Sequence, residues 1–423
     1  MAPKHRIHSE PVVTRSSGRV SSTPRPSHLM GGPQVLHRAR HRHSNRLLAA
    51  LLLAVAGIAC GAVLASTSSA TTLKASASPL NTKLSGICPS TINLQIDWFP
   101  EAEYGVYFSL IGSKGTLDAS KGTYTGPLGK TGVNLQIRAG GPFIGQQTVQ
   151  SLMYQDNSIT LGLVHTDDAV RFSKQFPVVS VVAPLEHSPL AVVWDPTKHN
   201  FTNWRDIGAS GAKILVFTKA VNWVPYVIAK GYVPASSFDD SFDGSYTRFV
   251  ADTSLLQQAF VTETPYRLQY EIKQYARPVG VLLISRSGYD PYLSSLAVKK
   301  SRLAALSPCL KKLVPIIQWA QVNYITHPKA ANQVMVNVVT GMHSFWTESM
   351  PLLAFGNAQM LKYKIVNNGP DKTLGNMNPK RVLKVIADFK ATFGDVPTAD
   401  PSVTPSSIMT NKFIDPSIGL PAR

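Results

Sequence analysis

From Thr91 onward, apolar residues switch between two spacings along the chain. INLQIDW (92–98) places apolar side chains at alternate positions, the pattern of a strand with one covered face. GVYFSLIGSKG (105–115) is helical in period and ends in glycine, a usual helix stop. VNLQIRAGG (133–141) predicts a second strand, residues 145–155 a helix and ITLGLVH (159–165) a third strand. VVSVVAPL (178–185) is apolar throughout, as expected of a strand covered on both faces. LAVVWD (190–195) follows, and KILVF (213–217) opens a second series with a helix over 220–230. TRFVADTSLLQQAFV (247–261) predicts helix then strand, and VGVLLIS (279–285) a last strand. After Ser294 the pattern is mainly helical, over 299–326, 328–348 and 379–393.

Strand–helix–strand repetition followed by helices predicts α/β architecture with mostly parallel sheets. The two series suggest two lobes, with the C-terminal helices completing the first. The boundaries expected are 91–186 and 286–395 for lobe 1 and 187–285 for lobe 2. Residues 66–90, rich in Ser, Thr, Ala and Lys, read as a flexible linker, and 396–423 as a C-terminal tail. No internal repeat is visible.

Charge changes the picture at the N-terminus. The formal net charge of +18 would ordinarily suggest a nucleic-acid partner. Residues 1–46 carry nine basic side chains against one acid, so +8 sits there and +10 in the remainder. That segment has six histidines and no apolar periodicity, and it reads as a disordered basic export flank. Leu47–Ala65 follows, 19 residues without a charge. A basic flank ahead of an apolar run is an export or membrane-insertion signal, which leaves everything after it outside the cytoplasm. Three fates stay open: a retained anchor, cleavage after Ala65 or Ala70, or lipidation at Cys60, since GIAC (57–60) resembles a lipobox with Gly57 in place of leucine. Nucleic acid is therefore not an expected partner. With Cys60 lipidated or removed, Cys88 and Cys309 remain as a pair in an oxidising compartment and are expected to form a disulfide.

Familiar catalytic signatures are missing. TGPLGKT (125–131) ends like a phosphate loop, but Tyr124 stands where its first glycine belongs, and a strand follows instead of a helix. It reads as a surface loop. GGPFIG (140–145) lacks dinucleotide spacing, and the chain has no GxSxG, HExxH or CxxC. No cofactor and no metal site are expected.

DWFPEAEYG (97–105), placed right after the first strand, resembles the DWFP-type motif of the thiamine-pyrimidine-precursor-binding family. That family lies within a wider group of solute-binding proteins that includes alkanesulfonate and nitrate binders. Further similar segments follow in order: AGGP (139–142), HTDDA (165–169), HSPLAVV (187–193), FVADTSLLQQAFVTETPY (249–266) and GYDPY (288–292). The resemblance covers about 91–395 and implies the type II periplasmic-binding-protein fold, two α/β lobes closing on a ligand. It implies Trp98 as a ring-stacking residue and Asp97 as an acceptor for an amino group. Tyr104 stands where pyrimidine binders of the family carry histidine. His165 and Thr166 on the third segment, Ser188 on the fourth and the pair Gly140–Gly141 join the candidate ligand set. Thr218, Asn222 and Trp223 are placed at the start of a helix, whose free amides favour an anionic or polar group. Capping is the plainer role for Thr218 and Asn222, and Trp223 would wall the cleft. Glu263 stands one residue before the family's carboxylate position, where this chain has Thr264, and is the candidate partner for a ligand amine.

The expected function is the extracytoplasmic solute-binding component of an ABC importer, a non-enzyme acting as a monomer and handing a small solute to a membrane permease. A planar nitrogenous solute, of the pyrimidine-precursor or flavin kind, suits the residues. Three alternatives remain: a sulfonate- or nitrate-type anion at the Thr218 helix end and Gly140–Gly141, a pyrimidine-synthesising enzyme, or a cell-surface protein whose cleft has lost its ligand. The enzymes of this family need an iron site, a cysteine-rich motif and the histidine that Tyr104 replaces, and the chain has no cysteine cluster.

Overall fold

The computed structural model describes residues 78–218 and 221–421. The basic flank, the apolar run, Cys60 and residues 66–77 of the linker fall outside the described residues. Twelve strands are present among them: β1 (Thr91–Gln95), β2 (Thr116–Asp118), β3 (Thr123–Pro127), β4 (Asn134–Arg138), β5 (Leu161–Val164), β6 (Val178–Val182), β7 (Leu190–Trp194), β8 (Ile214–Leu215), β9 (Phe238–Asp239), β10 (Leu256–Phe260), β11 (Gly280–Leu283) and β12 (Ser295–Lys299). They form two sheets, in the orders β2-β3-β4-β1-β5-β12-β6 and β11-β7-β10-β8-β9.

The first sheet is lobe 1. β1 runs parallel to β4 and β5, the arrangement that strand–helix–strand units impose. The sheets are nonetheless mixed and not mostly parallel as expected, because the β2–β3–β4 hairpins, the inserted β12 and the β7–β10 and β7–β11 pairs are all antiparallel. β12 is inserted antiparallel between β5 and β6. The chain thus leaves lobe 1 after β6, builds the second sheet, and returns through β12 to complete the first. Two crossings between two α/β sheets, with the return strand lodged beside the third strand, define the type II periplasmic-binding-protein fold that the motifs imply.

β12 was not expected as a strand. All five of its residues are buried, so SLAVK shows no alternation to separate it from the helix that follows. The helices behind it are Leu303–Thr326, Lys329–Met342, Met350–Lys362 and Pro379–Phe393. The expected helix over 328–348 stops at Met342, and a separate helix begins after Ser349, whose hydroxyl accepts from the Leu352 amide. TGPLGKT is only partly loop: residues 123–127 are β3, paired antiparallel with β4.

Both expected tails need correction. Within the linker, Leu84 is fully buried, and its amide bonds to the Thr131 carbonyl at 2.9 Å. The C-terminal stretch is packed as well: Phe413 is 4% exposed, and Thr410 donates to the Ser180 carbonyl at 2.9 Å. Both segments carry buried apolar side chains at too few positions to show a period.

Cys88 and Cys309 form a disulfide that ties the approach to β1 to the helix Leu303–Thr326, across a sequence separation of 221. A closure of that length restricts the unfolded chain strongly. Replacing both cysteines by serine is expected to cost about 2–4 kcal/mol, read as a lowered melting temperature in non-reducing buffer. An unchanged melting temperature, or two free thiols by alkylation and mass spectrometry, would contradict it.

Candidate functional site

The site forms where strands of lobe 1 run out. β1 leads into Asp97 and Trp98, β4 into Gly140 and Gly141, and β5 into His165, as the rule for open α/β sheets requires. Gly140 donates to the Trp98 carbonyl and Gly141 to the Asp97 carbonyl, both at 2.9 Å. A Cβ on Gly140 would lie 2.2 Å from the Asp97 carbonyl carbon, and Gly141, at φ +57°, sits under the Trp98 ring. The glycine pair therefore cradles the Asp97–Trp98 turn. With these amides occupied, it cannot also bind an anion in the manner expected of it.

Asp97 is held from two sides. Tyr104 donates to one carboxylate oxygen at 2.7 Å, and His165 Nε2 lies 3.2 Å from the other. Tyr104 is itself 4% exposed and packs in the core, so it positions Asp97 and does not face solvent. Burial pulls the His165 imidazole down, but the hydrogen bond and charge of Asp97, with Asp168 and Asp167 behind, outweigh it and lift the pKa to about 9. Asp168 is raised to about 6 by burial and by the charge of Asp167.

Lobe 2 meets this cluster through Asn222. Its amide nitrogen donates to Asp167 at 2.7 Å and Asp168 at 3.1 Å, and its oxygen accepts from Arg171 at 2.8 Å. Tyr289 also donates to Asp167. Asn222 is thus a latch between lobes with its hydrogen bonds committed. The expected helix begins only at Trp223, which leaves Thr218 outside its first turn.

Other expected contacts are structural. Trp223 is 2% exposed and packs in lobe 2 against Trp204 and Phe238, not on the cleft wall. Thr166 is fully buried and accepts from the Tyr292 amide at 2.9 Å. Ser188 is buried and accepts from the Leu190 amide at the start of β7, at 3.1 Å.

The aromatic wall draws on both lobes. The Trp98 ring centroid lies 6.4 Å from Phe217 of lobe 2 and 5.8 Å from Trp346, both edge-on. Phe217 stands exposed despite its size. Trp346 stacks on Phe99 and donates to the Pro100 carbonyl at 3.2 Å. Beside this wall stands a group of carboxyls. Glu263, after β10, pairs with Arg267, which also holds Glu271 at 2.9 Å and the Thr347 carbonyl at 2.6 Å. Glu103 accepts from the Thr262 hydroxyl across the lobe boundary. Burial raises Glu103 to about 7, although the Thr262 hydrogen bond works against it. Glu101 and Glu348 are pushed well above the carboxylate range, first by burial and then by neighbouring carboxylates.

Phe217, Trp346, Glu101, Glu103, Arg267 and Glu348 were not singled out from the sequence. Glu101 and Glu103 lie inside the quoted DWFPEAEYG, and two acids directly after an apolar strand were the available signal. A cavity of about 490 Å3 opens elsewhere on lobe 1, over β3 and β4. Its polar lining is largely satisfied internally: Arg138 bonds Gln136 at 2.7 Å and Asp156 at 2.8 Å, and Gln136 donates to Thr125 at 3.0 Å.

Fold and site together define a two-lobed protein of the periplasmic-binding type, with an aromatic and acidic cleft. Neither a protein-family model nor a curated protein matches the chain. Among solved structures it is similar to the alkanesulfonate-binding protein SsuA from Xanthomonas axonopodis pv. citri bound to MOPS, at 11% identity and TM-score 0.46, covering 76% of this chain and 99% of that one. It is similar also to the periplasmic nitrate-binding protein NrtA from Synechocystis PCC 6803, at 8% identity and TM-score 0.48, covering 77% and 87%. A third is a conserved Candida albicans gene product described as having the generic periplasmic-binding-protein fold, at 10% identity and TM-score 0.44, covering 78% and 98%.

Proposed function

We propose that this chain is the extracytoplasmic solute-binding component of an ABC importer and captures a small planar nitrogenous solute between its lobes. One observation carries the reading: Trp98 of lobe 1 meets Phe217 of lobe 2 edge-on, with centroids 6.4 Å apart, and the Asp97 carboxyl adjoins Trp98 in the chain. Aromatic rings gathered from both lobes suit a flat ring, and carboxylates accept its amino hydrogens. Pyrimidine-precursor and flavin-like solutes share both features. Sulfonate and nitrate fit less well, because the Gly140 and Gly141 amides are already bonded and the surrounding side chains are acidic. The basic flank and uncharged apolar run at 1–65 support an exported domain, at the outer face of the membrane or beyond it, where a permease would receive the solute.

A thermal-shift screen of the purified protein against an aminopyrimidine, riboflavin, an alkanesulfonate and nitrate tests this, since a ligand of the native state raises its melting temperature. A nitrogen heterocycle is expected to give the shift, and a shift with the alkanesulfonate alone would overturn the reading. Trp98→Ala is expected to weaken binding of that heterocycle by about 10–100-fold, the loss of one stacking face. Unchanged affinity would return Trp98 to a packing role.

A further inference from the structure

The β2–β3–β4 part of the first sheet is covered by helices on one face. There Tyr124, Leu135 and Ile137 are buried, and the helices Gly105–Ile111 and Lys329–Met342 pack against these strands. Successive side chains of a strand point to opposite faces, so the residues between them form the other face. That face is the floor of the cavity of about 490 Å3. Gln95 comes from β1, Gln136 and Arg138 from β4, Thr123 and Thr125 from β3, and Thr116 from β2. Sites for small organic ligands span about 300–1,000 Å3. Neither Asp97, Trp98, Phe217 nor Glu263 lines this cavity.

Its charges are already balanced. Lys121 pairs with Asp118 at 3.1 Å, and Arg138 with Asp156 at 2.8 Å. The Arg138 Nε donates to Gln136 at 2.7 Å, and the Gln136 amide donates to Thr125 at 3.0 Å. This chain of bonds fixes three side chains across two strands and leaves the Thr125 proton free to be donated. Two nearly buried side chains add unused polar atoms. Gln95, 2% exposed, gives its Nε2 to the carbonyls of Ile96 at 2.9 Å and of Arg138 and Ala139 at 3.0 Å. That sets the amide orientation, and its Oε1 takes no hydrogen bond from the described residues and is not sealed off. The hydroxyl of Thr123, 9% exposed, is likewise open and without a bond. Phe143 closes one side, its ring seated on Gly122, where a Cβ would come within 2.9 Å of it.

We propose that this cavity is a second binding site, separate from the cleft, for a neutral saccharide, either free or as a unit of a glycan chain. Hydroxyls and amides held in fixed positions match sugar hydroxyls, each of which donates and accepts. An aromatic ring beside them suits the C–H face of a sugar. Paired cations leave an anion no unpaired charge to answer. The cavity lies on the face of the sheet, so main-chain pairing with an added strand is not what it offers. Because the internal bonds hold the lining in place before a ligand arrives, little ordering is needed on binding.

Saturation-transfer NMR of the full chain tests this. The probes are the methyl glycosides of glucose, mannose, galactose and N-acetylglucosamine, their hexasaccharides, and glucose 6-phosphate as the charged control. At least one neutral sugar is expected to bind, and glucose 6-phosphate to bind more weakly than methyl glucoside. Binding of a methyl glycoside identifies a free sugar as sufficient, and binding of hexasaccharides alone identifies a glycan chain. Thr123→Val keeps the side-chain shape and removes a hydroxyl that is unbonded in the protein. It is expected to weaken sugar binding about tenfold and to leave the melting temperature of the empty protein unchanged. Trp98→Ala is expected to leave sugar binding as it is. Binding of none of the sugars, tighter binding of glucose 6-phosphate, or affinity untouched by Thr123→Val would overturn the proposal. Loss of sugar binding in Trp98→Ala would overturn it too, by moving the sugar to the cleft.

Discussion

Acidifying the buffer from pH 8 to pH 5 is expected to make this protein more stable. Several groups bind protons more tightly in the folded chain than in the unfolded one. Glu103 is raised to about 7 and Asp168 to about 6. Glu101, Glu263 and Glu348 are raised as well, each chiefly by burial. His165, lifted to about 9, acts in the same direction. A group whose folded pKa exceeds its unfolded value contributes stability that is complete below the unfolded pKa and is lost as pH rises through the folded one. The histidine contribution is therefore regained between about pH 9 and 6.5, and that of Glu103 between about pH 7 and 4.5. From Glu103 alone the gain is about 3 kcal/mol, or roughly 4 °C in melting temperature for a chain of this size.

Groups of the opposite sense set the lower limit. Asp195 is held down to about 2: burial opposes this, but the Arg277 and Thr197 hydrogen bonds prevail. Its contribution is present above the unfolded value of 3.8 and is lost as pH falls from there toward 2. Stability should thus peak near pH 5 and fall on both sides. Calorimetric melting from pH 4 to 9 checks this. A melting temperature that is flat, or that climbs toward pH 8, would mean that the cleft carboxyls are solvated and ionised in the native protein.

The same carboxyls show how far the sequence could be read. Strands with one-sided or continuous apolar patterns, β1, β4, β5, β6, β7 and β10, were legible because burial imposes a period. So was the place of the site, because the ends of β1, β4 and β5 follow from the strands. β12 was not legible: its burial on both faces removes the alternation, and a helix follows with a single short turn between. The β2–β3 hairpin was missed because β2 is three residues long and β3 ends in Gly126-Pro127, which reads as loop. Site roles were harder still. Trp223, Thr166 and Ser188 stand in the right segments, but their side chains turn into the protein. Whether an aromatic or a hydroxyl faces the cleft depends on packing from distant elements, and no local pattern reports it. Glu101 and Glu348 are 247 residues apart and acquire their meaning only when the chain has returned to lobe 1.

That return is fastened at one side chain, and its removal is expected to have the second large effect. Arg381 lies in the first turn of the helix Pro379–Phe393, capped by Asn378. Its guanidinium carbon lies over the Tyr292 ring, 3.9 Å from the centroid. It donates to the Glu186 carbonyl at 2.6 Å and to the Glu186 carboxylate at 3.1 Å, on the segment leaving lobe 1. It also donates to the carbonyls of Asp290 at 2.6 Å and Pro291 at 3.2 Å, on the segment coming back. Asp290 in turn meets His187 at 2.9 Å, so the two crossings are joined to each other and to lobe 1. Hinges are short segments that absorb rotation, and one fork holding both of them limits that rotation. Arg381→Met leaves Glu186, almost fully buried, without its cation, and the expected loss is about 3–5 kcal/mol. Arg381→Lys should recover little, because an ammonium cannot span three carbonyls and the carboxylates of Glu186 and Asp290. Adding Glu186→Gln to Arg381→Met should recover part of the stability by removing the stranded charge, yet it leaves the crossing carbonyls unheld. Melting temperature should therefore rise in the double variant, while small-angle scattering still reports a larger radius of gyration than the parent. If both quantities return together, Arg381 serves only to neutralise Glu186, and the hinge is held elsewhere.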